Sequence, residues 1–193
     1  MTRNPESITL YGQPVRGRTC GSCNICCTIL PVDLPGGKKL ANVKCQHLRS
    51  KGCSIYDNRP MPCRYWSCRW LFDEETANLR RPDKSGYVID SALDTILADG
   101  KPCEVFQVWV DPARRDAHKD PALREYLLEM ATIYRLPAII RWGSNDGMVL
   151  IAPPLSGEGD WIEVTSGMVS EEEMNHKLGD DAQPWRKQII HEG

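Results

Sequence analysis

Hydrophobic and polar positions fall into regular patterns only from about Leu71 onward. Gly86 to Leu93, with Tyr87, Val88 and Ile89, and Glu104 to Val110, with Val105, Phe106, Val108, Trp109 and Val110, are rich in β-branched and aromatic residues. Both predict strands, and Asp111-Pro112 ends the second. Pro121 to Leu136 predicts an amphipathic helix, because Leu123, Tyr126, Leu127, Met130 and Tyr134 recur at helical spacing. Asp120 stands at the N-cap, Pro121 suits the first turn, and Pro137 stops the helix. Ala138 to Trp142 and Met148 to Ile151 flank Ser144-Asn145-Asp146-Gly147, a hairpin signal. Trp161 to Val164 predicts a short strand, Pro153-Pro154 ends the one before it, and a short helix is expected over 170–178 within a polar, loosely held tail.

The front of the chain has no such periodicity. Residues 1–19 are polar and carry Pro5, Gly12, Pro14 and Gly17, which suits an extended arm with at most one short strand. Pro31 to Gly37 is a loop by composition, Lys38 to Cys45 a short strand or turn, and Pro60 and Pro62 forbid a long helix between Cys53 and Trp70. A stretch so poor in regular structure needs cross-links or a metal to hold it. The expected fold is α+β: a loop-rich, metal-bound cysteine lobe (1–72) packed on a small antiparallel sheet with one main helix (73–193).

Cysteine spacing supplies the chemistry. Cys20, Cys23, Cys26, Cys27, Cys45, Cys53, Cys63 and Cys68 are eight of the nine cysteines and span forty-nine residues. They open as C-x2-C-x2-C-C, the spacing at which a tight turn aims successive sulfurs at one point. Cys27, adjacent to Cys26, points elsewhere and can serve a second ion or bridge two. Zinc takes four thiolates in a tetrahedral shell, so eight cysteines match two such sites in count. Iron or an iron–sulfur cluster is the alternative, since C-x2-C-x2-C also occurs in ferredoxins; there the run continues x3-C-Pro, whereas here Cys27 follows at once. A disulfide framework fits poorly, because the opening segment lacks the apolar core of a secretory signal and the expected compartment is the cytoplasm. No run of eighteen apolar residues exists, so a membrane-spanning helix is not expected.

The formal net charge of −2 conceals a division. From Cys20 to Cys68 there are Lys38, Lys39, Lys44, Arg49, Lys51, Arg59 and Arg64 against Asp33 and Asp57, which gives +5 there and −7 elsewhere. Scattered cations among thiolates read as local compensation of an anionic metal centre. The rival reading, a basic surface for nucleic acid, is not favoured, because the cations are scattered and no nucleic-acid motif accompanies them.

Cys20, Cys23, Cys26 and Cys27 followed by Cys45-Gln46-His47-Leu48, then Gly52-Cys53-Ser54-Ile55-Tyr56-Asp57-Asn58-Arg59-Pro60 leading into Cys63-Arg64, resemble the YkgJ-type cysteine-cluster family of zinc- or iron-chelating domains. The resemblance covers about residues 18–72. It implies metal chelation by Cys20, Cys23, Cys26, Cys27, Cys45, Cys53 and Cys63, with Cys68 a further ligand of a kind shared by part of the family. Flagellin lysine N-methylases carry the same cluster, but no glycine-rich methyl-donor loop is present here. Tyr56, Arg59, Pro60 and Arg64 form the family's Y-x2-R-P-x2-C-R block. The arginines read as structural groups that cap loop carbonyls and offset sulfur charge rather than as substrate anchors.

Outside the cluster no catalytic set assembles. His47 reads as a packed histidine rather than a ligand, Cys103 as a small buried hydrophobe, and His118 as part of a solvated charged run. Glu171 to Glu173 read as an exposed helix start, His176 and His191 as tail residues, and Gly157-Glu158-Gly159 lacks the Lys-Ser/Thr of a phosphate loop. The expected activity is metal binding with the metal mainly structural, and the alternative is a metalloenzyme or iron–sulfur redox protein with an open coordination position. The partner, protein or small molecule, is not named by the sequence.

Overall fold

The computed structural model of the chain describes residues 13–50, 52–98, 101–157 and 159–165. The expected helix over 170–178, Glu171 to Glu173, His176, His191 and the first part of the arm lie outside the described residues.

The front lobe is built from short pieces. In order they are α1 (Cys26–Ile29), the hairpin β1 (Val32–Leu34) and β2 (Gly37–Lys39), the hairpin β3 (Leu48–Arg49) and β4 (Gly52–Cys53), α2 (Met61–Tyr65) and α3 (Arg69–Phe72). Single 3-10 turns at Tyr56–Asn58 and Glu74–Thr76 lie between and after them. Prolines set these lengths: Pro62 sits in the first turn of α2, where its missing N–H costs nothing, and the segment ends one turn later.

The second part is a five-stranded sheet in the order β5 (Tyr87–Ala98), β6 (Lys101–Val110), β7 (Ala138–Gly143), β8 (Asp146–Ile151) and β9 (Ile162–Thr165). The short helix α4 (Pro82–Ser85) leads into it, and α6 (Pro153–Ser156) joins β8 to β9. The main helix, α5 (Pro121–Tyr134), is capped as expected, with the Asp120 carboxylate accepting from the Ala122 amide. It closes on Arg135, which adopts the left-handed conformation at φ 59°, so it ends just ahead of Pro137.

The α+β class is as the patterning predicts, but the sheet is mixed rather than wholly antiparallel. β6 and β7 run parallel, with Phe106 opposite Ala138 and Trp109 opposite Arg141. Parallel neighbours need a crossover of a dozen or more residues, and the 3-10 segment Pro112–Lys119 with α5 supplies it. β5 and β6 are also longer than their apolar runs. The ladder slips between Ile89 and Leu93 and then resumes through Asp94, Thr95 and Ile96, where polar residues hide it from a pattern reading.

Strand alternation separates two faces. Tyr87, Ile89, Phe106, Val108, Ala138, Ile140 and Leu150 pack with Leu123, Leu127 and Met130 of α5. On the opposite face Val88 and Trp109 receive the cysteine lobe through Ile25, Ile29 and Leu30. The lobe also wraps the β5 edge. The Trp66 indole donates to Asp90 Oδ1 at 2.8 Å, Arg69 Nε donates to the Asp90 carbonyl at 3.2 Å, and Trp70 reaches the α5 side. Arg18 ties the arm to the same corner, donating to the carbonyls of Trp70 and Asp73 and to Thr76 Oγ1 at 2.6 Å. Trp66→Phe keeps an aromatic side chain but deletes the bond to Asp90 and trims the packing; a loss of at least about 1–2 kcal/mol is expected in denaturant unfolding.

Candidate metal centre

All eight clustered cysteines are half-buried thiols in the front lobe, and none of the nine cysteines is joined in a disulfide. The turn that begins the cluster closes by the Cys23 amide donating to the Cys20 carbonyl at 2.7 Å. It passes through Gly21 at φ +52°, beside the Arg81 guanidinium, whose Nη1 stands 3.3 Å from where a Cβ would sit. A side chain at position 21 would meet both a strained backbone and that arginine.

Cys26 and Cys27 are consecutive in α1, so about 100° of helical rotation separates their side chains. Cys26 packs with Cys23, Cys68 and Trp66 on Ile25, Ile29, Val88 and Trp109. Cys27 is bonded elsewhere, its carbonyl accepting from the Cys45 amide at 2.8 Å. From Cys45 the chain enters the β3–β4 hairpin: Leu48 N–H donates to the Cys45 carbonyl at 3.0 Å, and Cys53 lies opposite Leu48. Cys63 lies in α2, its amide donating to the Pro60 carbonyl at 2.9 Å.

The electrostatics follow this division. The Cys26 thiol donates to Cys27; this bond first, and burial second, push Cys26 far above the usual thiol range. The same bond, with the charges of Lys39 and Arg59, draws Cys27 down to about 7 against the effect of burial. Burial pushes Cys68 up to about 12, and the negative fields of Cys20 and Cys23 add to it. Burial also raises Cys23, with Cys20 among its charged neighbours. Cys63 is raised by burial and then by Cys27, Cys45 and Cys53. The thiols thus lie within one another's electrostatic reach, and each opposes its neighbours' ionisation.

Four cations stand among or beside them. Lys39 is only 8% exposed, and its Nζ donates to the carbonyls of Thr28 (3.3 Å), Leu30 and Leu40 (3.1 Å). Burial lowers its pKa while Cys45, Cys27, Cys26 and Cys63 pull the other way. Arg59 lies 3.8 Å above the Tyr56 ring and donates to the Tyr56 carbonyl at 2.9 Å, and Arg64 donates to the Asp57 carbonyl at 3.0 Å. Both arginines thus cap loop carbonyls, as their positions in the sequence suggest. Arg81 grips Asp83 at 2.6 and 2.8 Å and reaches Ser22 Oγ at 3.2 Å, with Cys23 and Cys20 in its field.

Among the described residues, no three His, Cys, Asp or Glu side chains stand close enough to form a ready-made cage for an ion. The donor chemistry nonetheless suits a thiophilic metal. Eight thiols share one lobe with Lys39, Arg59 and Arg64, and Arg81 stands beside it. The buried indole N–H of Trp109 has no partner and belongs to the same cluster as Cys23, Cys26 and Cys68. A metal-bound thiolate is an acceptor that would satisfy it.

Other residues are placed apart from the cluster or beside it. His47 is half-buried, and its carbonyl accepts from the Ser54 amide at 2.9 Å. Cys103 is buried with Ile96, Val105 and Ile139, and burial pushes its thiol up to about 12. Cys103→Ser should leave metal content unchanged and cost about 1–3 kcal/mol on thermal unfolding, because a hydroxyl replaces a small apolar group. Metal loss on that substitution would mean the ligands are misassigned. His118, expected in a solvated run, is instead 4% exposed. Its ring meets Trp142 edge-on at 5.4 Å and its Nδ1 lies 2.7 Å from the Arg115 carbonyl; long-range packing overrides the charge of its sequence neighbours. Sequence reading missed Arg81 and Trp109, which come near the cysteines only through folding.

No described helix is long and apolar enough to cross a membrane. Set against known proteins, the chain matches no family model, no curated protein and no solved structure.

Proposed function

We propose that the chain is a metal-binding protein of the YkgJ type, chelating zinc, or alternatively iron, through Cys20, Cys23, Cys26, Cys27, Cys45, Cys53, Cys63 and Cys68. The observation that carries this reading is the gathering of eight thiols in one lobe with a buried ammonium, Lys39, in their field. A buried cation without a carboxylate partner needs anionic neighbours, and metal-bound thiolates supply them. When bound, the metal would cross-link loops that carry little regular secondary structure. Cys20 to Cys27 supply one strap, the β3–β4 hairpin a second, and the segment from Cys63 to Cys68 a third.

The role that best suits this arrangement is structural. The lobe closes the β5 edge and covers Val88 and Trp109, so fixing its loops also protects the sheet. An open coordination position would favour a metalloenzyme or redox protein instead. X-ray absorption at the metal edge separates the two. Four sulfurs per ion, with no light-atom ligand, is the expected result; three protein ligands plus an oxygen would favour catalysis.

A further inference from the structure

Every clustered cysteine lies in the front lobe, but the turn that carries the first two is held from outside it. Arg81 stands immediately before α4, in the second part of the chain. Asp83 fixes its guanidinium through Nε at 2.6 Å and Nη2 at 2.8 Å, a bidentate grip that sets its aim. From there Nη2 also donates to Ser22 Oγ at 3.2 Å, across fifty-nine residues of sequence. Nη1 lies 3.3 Å from where a Cβ on residue 21 would stand, so the guanidinium covers Gly21 as well. Gly21 and Ser22 are the two residues between Cys20 and Cys23. The Asp83 amide adds a bond to the Cys23 sulfur.

The support is itself fixed. α4 closes on Gly86, in the left-handed conformation at φ +89°, and the chain passes directly into β5. Arg114, from the crossover, donates to the carbonyls of Lys84 at 3.2 Å and Asp83 at 3.3 Å. A line of contacts thus runs from the sheet through α4 and Arg81 to the first C-x2-C turn. We infer that Arg81, aimed by Asp83, is a positioning residue for Cys20 and Cys23, holding their turn closed from the second part of the chain. The cysteine lobe is then not self-sufficient, because a segment ending with α3 carries the thiols but lacks the group that fixes the first pair. What the thiols bind rests on the metal-binding reading above, whereas the placement of Arg81 rests on hydrogen bonds.

The test is amide hydrogen exchange on the full reduced, metal-free chain, read at Cys23, whose N–H closes the turn onto the Cys20 carbonyl. Arg81→Met should lower protection there about tenfold, as expected when a charged donor is lost. The Cys45 amide, bonded to the Cys27 carbonyl, should keep its protection. Ser22→Ala spares the Arg81–Asp83 pair and deletes only the bond to the turn; it should act in the same direction, and it decides if Arg81→Met does not fold. Arg115→Met breaks a similar pair with Asp146 at the β7–β8 turn and should leave Cys23 unchanged. With cobalt(II), Arg81→Met should lose roughly 10–100-fold in affinity while its metal-free melting stays close to that of the unaltered chain. Unchanged protection at Cys23, an even loss over the lobe's amides, an equal loss in Arg115→Met, or unaltered cobalt affinity would overturn the positioning role. No cobalt–thiolate absorption from the unaltered chain would overturn the metal-binding reading and leave the exchange result to decide the role of Arg81.

Discussion

Cys26→Ser is expected to weaken metal binding by more than ~100-fold and to loosen the front lobe. Loss of a group that merely supports a ligand typically costs ~10–100-fold in affinity, so loss of a ligand should exceed that range. Cys26 also shares a cluster with Cys23 and Cys68 and donates to Cys27, so its removal disturbs neighbouring thiols as well. The sheet should survive, because Leu123, Leu127 and Met130 pack it from the other face. The expected signature is therefore a lower-temperature transition reported by Trp66 and Trp70, ahead of sheet unfolding. Unchanged metal content with unchanged melting would contradict the assignment.

Lys39→Met carries the second large effect. The substitution nearly preserves volume and removes the donor to three carbonyls, those of Thr28, Leu30 and Leu40. Each carbonyl left unpaired costs ~1 kcal/mol or more, so the loss before compensation is ~3 kcal/mol. Burial already disfavours the charge at this site, so a neutral side chain recovers part of that. The net expectation is about 2 kcal/mol in metal-free protein, measured by denaturant unfolding. The loaded protein should lose more, together with at least tenfold in metal affinity, because the thiolate charge is then uncompensated. Equal stability losses with and without metal would mean that Lys39 is only a loop tether.

Much of the sheet and the main helix could be read from the sequence, because burial of one face imposes a period on the residues. Leu123, Leu127 and Met130 repeat at helical spacing since they all meet the sheet. The parallel pairing of β6 with β7 left no such mark, for it depends on how α5 crosses over rather than on any local run. The second half of β5 was hidden by Asp94 and Thr95, and Asp94 is there to pair with Arg141. In the lobe, cysteine spacing alone marked the candidate ligands. Their placement could not be read, because Cys68 reaches the same cluster as Cys23 and Cys26 only when α3 packs on β5. Lys39 looked like one of seven scattered cations; only its burial distinguishes it. His118 shows the converse, a histidine among charged neighbours buried by a distant tryptophan.

The account rests on sulfur–metal bonds as the cross-links of the front lobe. Elemental analysis of anaerobically purified protein, with an optical spectrum and a count of reactive thiols before and after chelation, tests this most directly. Stoichiometric zinc or iron is predicted, with the clustered thiols shielded until a chelator removes the metal and the lobe's tryptophan signal collapses. Metal-free protein with the same tryptophan signal, or cysteines recovered as disulfide pairs, would contradict it.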